Sequence, residues 1–330
     1  MTRVAAIDCG TNSIRLLIAD LPEPGAAPDG AAPGGAAPGG AIGAASGEPL
    51  TDVVRRMEIV RLGQGVDRTG ALSPEAIERT RVALAEYAAQ IRDLGATRVR
   101  MVATSASRDA RNADDFRAMV RATLGTDPEV VTGDEEARLS FTGAVRGLPA
   151  DAEPPYLVVD IGGGSTEFVV GTATVDAAIS VDIGCVRMTE RHLHDDPPTT
   201  AQVAAAQADI EAAVERALSA VPGRRARTLI GLAGTVTTVT AIALGLTGYD
   251  PDRIHHARVS EDEVAKVTAQ LLAMTHEQRL AIPVMHPGRA DVIGAGSLIL
   301  RTVMRKVGAG SVVASEHDIL DGIAWSLAPR

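Results

Sequence analysis

Two short stretches of this sequence concentrate the residue types that handle phosphate. In the first, Ile7-Asp8-Cys9-Gly10-Thr11-Asn12-Ser13-Ile14-Arg15, a carboxylate ends an apolar run and small and hydroxyl residues follow. A tight turn of this kind exposes backbone N–H groups and side-chain donors, a cradle for phosphate oxygens. Asp8 beside it can hold a divalent cation through water, as Mg²⁺ prefers. An ordinary hairpin turn uses the same Asx and Gly residues, so this stretch alone leaves both readings open. The second stretch is Val159-Asp160-Ile161-Gly162-Gly163-Gly164-Ser165-Thr166-Glu167. Its three glycines let the backbone approach a ligand closely, with Ser165 and Thr166 as further donors. Asp160 and Glu167 flank the turn and can converge on one metal. Three glycines weaken a plain hairpin unless something sits against them.

The elements around these turns repeat a plan. Val4–Cys9 and Ser13–Asp20 read as strands joined by the first turn, and Val53–Arg61 as a third. Ser73 caps a long helix with Pro74 at its first position; Ile77, Leu84, Ala88, Ile91 and Leu94 share a face, and Gly95 ends it. Val99–Ala103 and Glu129–Thr132 read as strands, and Asn112 opens a helix between them. Tyr156–Asp160, Glu167–Val170 and Ala178–Ile183 then restart the strand–turn–strand order. Helices are expected near Val203–Leu218, Val236–Leu244, Asp262–Met274, Val292–Lys306 and Ile319–Leu327. Val264, Val267 and Leu271 should face a core, and Trp325 should pack. The repetition implies duplicated lobes, 1–133 and 134–330, facing each other across a cleft. The last helix is placed to pack back on the first lobe. Residues 22–49 are nearly all Gly, Ala and Pro, too poor in apolar surface to offset their ordering entropy, and read as a mobile loop without chemistry.

Composition narrows the classes. A chain of 330 residues exceeds a single core. Its net charge of −10 argues against a nucleic-acid binder. No run approaches the ~20 apolar residues of a membrane helix, and Asp8 interrupts any signal-peptide core. Two cysteines, Cys9 and Cys185, make no disulfide framework, which fits the cytoplasm. Lysine occurs only at 266 and 306, so arginine must meet any polyanion, its planar fork bonding two oxygens at once. The seven histidines show no ligand spacing; His255 and His256, adjacent in the chain, should point apart.

Taken together, the two turns resemble the paired phosphate motifs of the actin-like superfamily. The versions here are similar to those of the exopolyphosphatase and guanosine pentaphosphate phosphatase family. Further matching stretches are Leu62–Asp67, Ala103–Ala110, Thr132–Arg138, Gly184–Arg187 and Gly231–Thr238, so the resemblance runs from Val4 to about Ala324 apart from the Gly/Ala/Pro loop. It implies an α/β fold of two ribonuclease-H-like domains with the site in the cleft, often as a homodimer. It implies that Glu136 is the catalytic glutamate, preferred over Glu135, which otherwise reads as a carboxylate complementing a helix dipole. It implies Mg²⁺, or Mn²⁺, at Asp8, Asp160 and Glu167. Substrate would meet Gly10, Thr11, Asn12, Ser13, Arg15, Ser105, Arg108, Gly162, Gly163, Gly164, Ser165, Thr166, Gly234 and Thr235, with Arg15 and Arg187 weaker candidates than Arg108.

One departure stands near the end. The family commonly shows Ser-Xaa-Xaa-Gly-Xaa-Arg-Glu-Gly, whereas this chain has Ser315-Glu316-His317-Asp318-Ile319-Leu320-Asp321-Gly322. The resulting expectation is a magnesium-dependent exopolyphosphatase that removes terminal phosphates, preferring short chains because the protein is acidic and has two lobes only. Guanosine pentaphosphate is the close alternative, sharing the same terminal anhydride. A sugar kinase or other ATP-binding protein of the superfamily is the alternative of another class.

Overall fold

Alternation along the first strands explains the architecture of the first lobe. In β1 (Thr2–Cys9) and β2 (Ser13–Leu21), Ala5, Ile7, Ile14, Leu16 and Ile18 face one core. Val4, Ala6, Leu17, Ala19 and Leu21 face another. Strands that carry apolar residues on both faces must be covered on both faces. The computed structural model describes residues 2–22 and 50–328. The loop expected at 22–49 therefore lies, apart from Pro22, outside the described residues.

β3 (Thr51–Ile59), β4 (Arg98–Ala103) and β5 (Glu129–Val130) complete a five-stranded sheet in the order β3-β2-β1-β4-β5, with β4 and β5 parallel to β1. One face carries α1 (Val66–Thr69), α2 (Pro74–Asp93), α3 (Ser105–Asp109) and α4 (Ala113–Leu124). Ser73 caps α2 by accepting from the Ala76 N–H at 3.2 Å, and Gly95 leaves it with φ 69°. Leu84, Tyr87, Ala88 and Ile91 are its buried face, while Ile77 is half-buried.

The second lobe repeats the plan. α5 (Gly133–Val145) leads into β6 (Tyr156–Ile161), β7 (Thr166–Gly171) and β8 (Val175–Val181). α6 (Cys185–His192), α7 (Thr200–Ala220), β9 (Thr228–Leu232), α8 (Ala233–Ala243) and α9 (Pro251–Ile254) follow. β10 (Arg258–Ser260), α10 (Glu261–Ala273), α11 (His276–Leu280), α12 (Ile293–Val307), β11 (Ser311–Ala314) and α13 (Ile319–Ser326) complete the chain. The order β10-β11-β9-β6-β7-β8 matches the first sheet strand for strand, with β10 added at the edge. Both sheets thus have the ribonuclease-H-like arrangement, an antiparallel hairpin meander beside parallel strands.

The lobes are joined by two crossed helices. α5 packs through Ala137, Phe141 and Ala144 on β6, β7 and β9, and α13 packs through Ile319, Leu320, Ile323 and Ala324 on β1 and β2. Burying each of the large α13 side chains stabilises by about 1.5–3 kcal/mol. Where the helices touch, a β-carbon at Gly143 would collide with the Asp318 carbonyl, and one at Gly322 with the Leu139 carbonyl. Glycine is required at both positions by this close approach. Trp325 is half-exposed, its ring covered by the Arg146 guanidinium at 4.1 Å.

Candidate active site

Duplication brings two carboxylates to one place. Asp8 lies near the end of β1 and Asp160 near the end of the equivalent β6. In α/β sheets the crevice beyond the C-terminal ends of parallel strands is the usual ligand position. The helices after β4 and β9 start there as well. Neither α8 nor α12 has a side-chain cap, and Ala233, Gly234, Thr235, Val292 and Ile293 at their starts line the same cavity of about 100 Å³. Uncapped helix N-termini offer N–H groups and a partial positive charge to anions. Ala233 takes φ 67°, a left-handed conformation that costs energy in a non-glycine residue and marks a tight turn at the cavity.

The two glycine-hydroxyl turns meet face to face. Thr11 Oγ1 and Ser105 Oγ hydrogen-bond at 2.9 Å. A β-carbon on Gly163 would lie 2.8 Å from Thr11 Cβ, and one on Gly164 would lie 2.8 Å from Ser105 Oγ. The glycines are thus needed because the opposite lobe rests on them. The N–H groups of Cys185 and Val186 donate to the Gly162 and Gly163 carbonyls, both at 2.9 Å, so the start of α6 fixes the second turn from behind.

Glu136 sits in the first turn of α5, started by Thr132, whose hydroxyl accepts from the Glu135 N–H. Glu136 is 8 % exposed and lines the cavity, whereas Glu135 is exposed and paired with Arg100. Arg108 Nη1 donates to Glu136 Oε2 and to the Val131 carbonyl, each at 3.1 Å. Burial and the nearby Glu167 push the Glu136 carboxyl well above its ordinary range, against the pull of Arg108. Asp160 is pushed up to about 7 by burial, Glu167 and Asp318, offset by the Ser140 hydroxyl, which donates at 2.7 Å, and by Arg15. Glu167 is raised by burial and lowered by Ser180 and Ser165. Asp8 is raised by burial, and Arg15 opposes the shift. A cluster of buried carboxylates with raised pKa values is a functional-site signature.

Most of the expected residues converge on this cavity: Asp8, Gly10, Thr11, Asn12, Ser13, Arg15, Ser105, Glu136, Asp160, Gly162, Gly163, Ser165, Gly234 and Thr235. Arg108, Gly164, Thr166 and Glu167 stand off its wall. Arg108 is turned onto Glu136, Gly164 packs on Ser105, Thr166 donates to the Ile183 carbonyl at 2.6 Å, and Glu167 is held by Ser180 at 2.7 Å. Arg15 is engaged with Asp8 and with Asp318. Arg187 bridges the lobes through Asp67 and Asp109, both at 2.6 Å.

Two residues here gave no usable signal in the sequence. Arg289 lines the cavity and donates to Thr238 Oγ1 at 3.2 Å; among the described residues no carboxylate pairs with it. Asp318 caps α13 by accepting from the Leu320 N–H at 2.9 Å, and its acid-to-acid spacing with Asp321 ahead of an apolar run was the only hint. Leu320, where the family carries arginine, is buried beside β1 and β2, and the guanidinium at this corner belongs to Arg55, which pairs with Asp321.

The residues present fit a hard divalent cation. Asp8 Oδ1 is buried without a hydrogen-bond partner because Arg15 takes only Oδ2. Asp160 lines the same cavity, and an all-oxygen set suits Mg²⁺. Among the described residues, no three His, Cys, Asp or Glu form a closed cage, so water and phosphate oxygens would complete the shell. The expectation that His255 and His256 point apart is wrong: their rings stack at 3.6 Å, because His256 takes φ 64° and turns its side chain back. Burial raises both cysteine thiols, so neither is a nucleophile at neutral pH. No described helix is long and apolar enough to cross a membrane.

Comparison with known proteins gives a consistent result. The model of the Ppx/GppA phosphatase family matches residues 42–330. Exopolyphosphatase 2 of Mycobacterium tuberculosis is 52% identical to this chain, covering 99% of both. The guanosine-5'-triphosphate,3'-diphosphate pyrophosphatase of Photobacterium profundum is 29% identical, covering 87% of this chain and 56% of that protein. The crystal structure of the Aquifex aeolicus Ppx/GppA family member is 30% identical, with a TM-score of 0.77 and coverage of 98% and 97%.

Proposed function

Because this chain belongs to the Ppx/GppA phosphatase family, we propose that it hydrolyses the terminal phosphoanhydride of inorganic polyphosphate and releases orthophosphate. The observation that carries this reading is the placement of Glu136. It is a buried carboxylate with a raised pKa, oriented by Arg108, on a cavity walled by phosphate-binding turns from both lobes.

The chemistry asks for positioning, charge neutralisation and one aligned water. Glu136 holds the water and takes its proton as the water oxygen attacks the terminal phosphorus. The bond from that phosphorus to the bridging oxygen breaks, and the electron pair stays on the shortened chain. A carboxylate whose pKa is raised by burial is the stronger base once ionised. Thr11, Ser105 and Ser165 hydroxyls, the glycine turn, the start of α8 and Arg289 hold the phosphate oxygens. Asp8 and Asp160 would hold Mg²⁺, or Mn²⁺, with Glu167 adding charge behind Asp160. When bound, the ion supplies positive charge to non-bridging phosphate oxygens. Short chains are the favoured substrates, since among the described residues the arginines beyond the cavity, Arg55 and Arg56, are already paired with carboxylates. We place the reaction in the cytoplasm, where two buried free cysteines are stable.

Guanosine pentaphosphate is the second reading, supported by the name of the Photobacterium relative and by the shared terminal anhydride. The test is phosphate release measured in parallel on polyphosphate, guanosine pentaphosphate, and ATP with a panel of sugars. Release from polyphosphate without sugar supports the reading. Sugar-dependent consumption of ATP alone would overturn it in favour of a kinase.

A further inference from the structure

Arg15 stands where a substrate must pass, yet the structure keeps it from acting as a phosphate clamp. A second, outer cavity of about 480 Å³ opens off the first, and Arg15, Ala233, Gly234 and Arg289 line both. A polyanion whose end lies against Asp8 and Glu136 meets this corner on its way out. Arg15 on β2 lies directly across from Asp8 on β1, and its Nε and Nη2 both donate to Asp8 Oδ2, at 3.0 and 2.7 Å. A guanidinium that faces one carboxylate commonly bonds both of its oxygens in parallel. Here both bonds fall on one oxygen, and Asp8 Oδ1 is left buried without a partner. The remaining corner of the fork, Nη1, donates to Asp318 Oδ2.

Asp318 is held independently of Arg15. Its Oδ1 accepts from the Leu320 N–H, and its own N–H donates to Asp321 Oδ2, both at 2.9 Å. Asp321 is in turn paired with Arg55. The capping oxygen and the ion-pair oxygen are thus different atoms, and among the described residues Oδ2 has no partner but Arg15. Asp318 stands where the family commonly has glycine, so this carboxylate is added to the shared site. Two carboxylates on one guanidinium leave the trio with a net negative charge, which favours a cation at Asp8 Oδ1 and offers little to phosphate.

We infer that Asp318 is a positioning residue: it draws Arg15 away from phosphate and turns the fork onto a single oxygen of Asp8, so that the other oxygen stays open to a cation. It exchanges anion affinity for cation affinity at the junction of the two cavities. This inference rests on the reading of the first cavity as a cation-assisted phosphate site.

The test is calorimetric titration of Mg²⁺, and separately of pyrophosphate in chelator, with melting midpoints recorded to confirm folding. The proteins are the wild type, Asp318→Asn, Asp318→Gly, Arg15→Gln and the double variant of Arg15→Gln with Asp318→Asn. Asparagine caps a helix as well as aspartate does, but its one oxygen cannot serve both the Leu320 N–H and Arg15. Mg²⁺ should bind Asp318→Asn about tenfold or more weakly, the usual effect of removing a group that orients a metal ligand. Pyrophosphate should bind it about tenfold more tightly, the worth of one hydrogen bond to a charged group. Asp318→Gly should shift both affinities the same way, and it decides the matter if the asparagine variant does not fold. With Arg15→Gln in place, the change at 318 should lose most of its effect on pyrophosphate. A merely structural residue would weaken both ligands together, so parallel losses overturn the inference. Unchanged pyrophosphate affinity overturns it too, as does a gain that persists undiminished without Arg15, which would make Asp318 a plain repelling charge. Wild-type protein that binds no Mg²⁺ removes the cation reading of Asp8, and the pyrophosphate titrations then still decide whether Asp318 holds Arg15.

Discussion

Asp160→Asn should make the metal-free protein more stable at alkaline pH while abolishing most of its activity. The folded protein raises this carboxyl from 3.8 to about 7, chiefly by burial. A raised folded pKa means that the native state binds the proton more tightly than the unfolded chain. The stabilising effect of protonation is complete below pH 3.8 and is lost as pH rises through about 7. At about 1.36 kcal/mol per unit, the ionised group costs at most about 4 kcal/mol above pH 7. The neighbours Glu136 and Glu167 share that cost, so about 1–3 kcal/mol is the gain expected from a neutral isostere at pH 8. The amide keeps an oxygen to accept from Ser140, and loses the attraction to Arg15. The assay is thermal melting of both proteins at pH 5 and pH 8 in chelator, so that no cation compensates the charge. A melting midpoint a few degrees higher for the variant at pH 8, shrinking at pH 5, is the expected result. An equal or larger gain at pH 5 would refute the claim that buried charge is what this position costs the fold.

Three other outcomes follow from the same geometry. Gly163→Ala should force Thr11 away and separate the two phosphate turns, lowering kcat/KM on tripolyphosphate by roughly 100-fold, the effect of an ångström-scale misplacement; unchanged kinetics would mean that the turns do not act together. Excess chelator should stop phosphate release, and Asp8→Ala should weaken Mg²⁺ activation; full activity in chelator would exclude the cation at Asp8 and Asp160. Across polyphosphates from a few units to several hundred, efficiency per chain end should not rise with length; a steady rise would require a basic track that the walls of the outer cavity do not provide.

The duplicated plan was legible because its signals are local. The apolar runs of β1 and β2, the Ser73-Pro74 cap and the glycine turns each fix their own segment. β9 and β11 were missed, although Thr228–Leu232 and Ser311–Ala314 are apolar, because at five and four residues each is too short to show a period of its own. The third strand was placed about two residues late, at Val53–Arg61 rather than Thr51–Ile59, since its burial is partial and its pattern weak. Asp8, Asp160 and Glu167 were legible because each flanks a glycine turn, whereas Glu136, in the first turn of α5, stood out only through the family resemblance. Arg289 was not legible, because nothing in His286-Pro287-Gly288-Arg289 tells which arginine has no carboxylate partner among the described residues. That depends on contacts across the fold. The stacking of His255 on His256 likewise hangs on a single positive φ.

The most direct measurement is single-turnover phosphate release from tripolyphosphate by Glu136→Gln and Glu135→Gln, with binding of the same ligand measured separately. Glu136→Gln keeps the shape of the side chain and removes the base, so the rate should fall about 10²–10⁴-fold while tripolyphosphate still binds. Glu135, exposed and paired with Arg100, should be replaceable with little effect. Near-normal turnover by Glu136→Gln, with the loss appearing in Glu135→Gln instead, would contradict the assignment of the buried glutamate as the base.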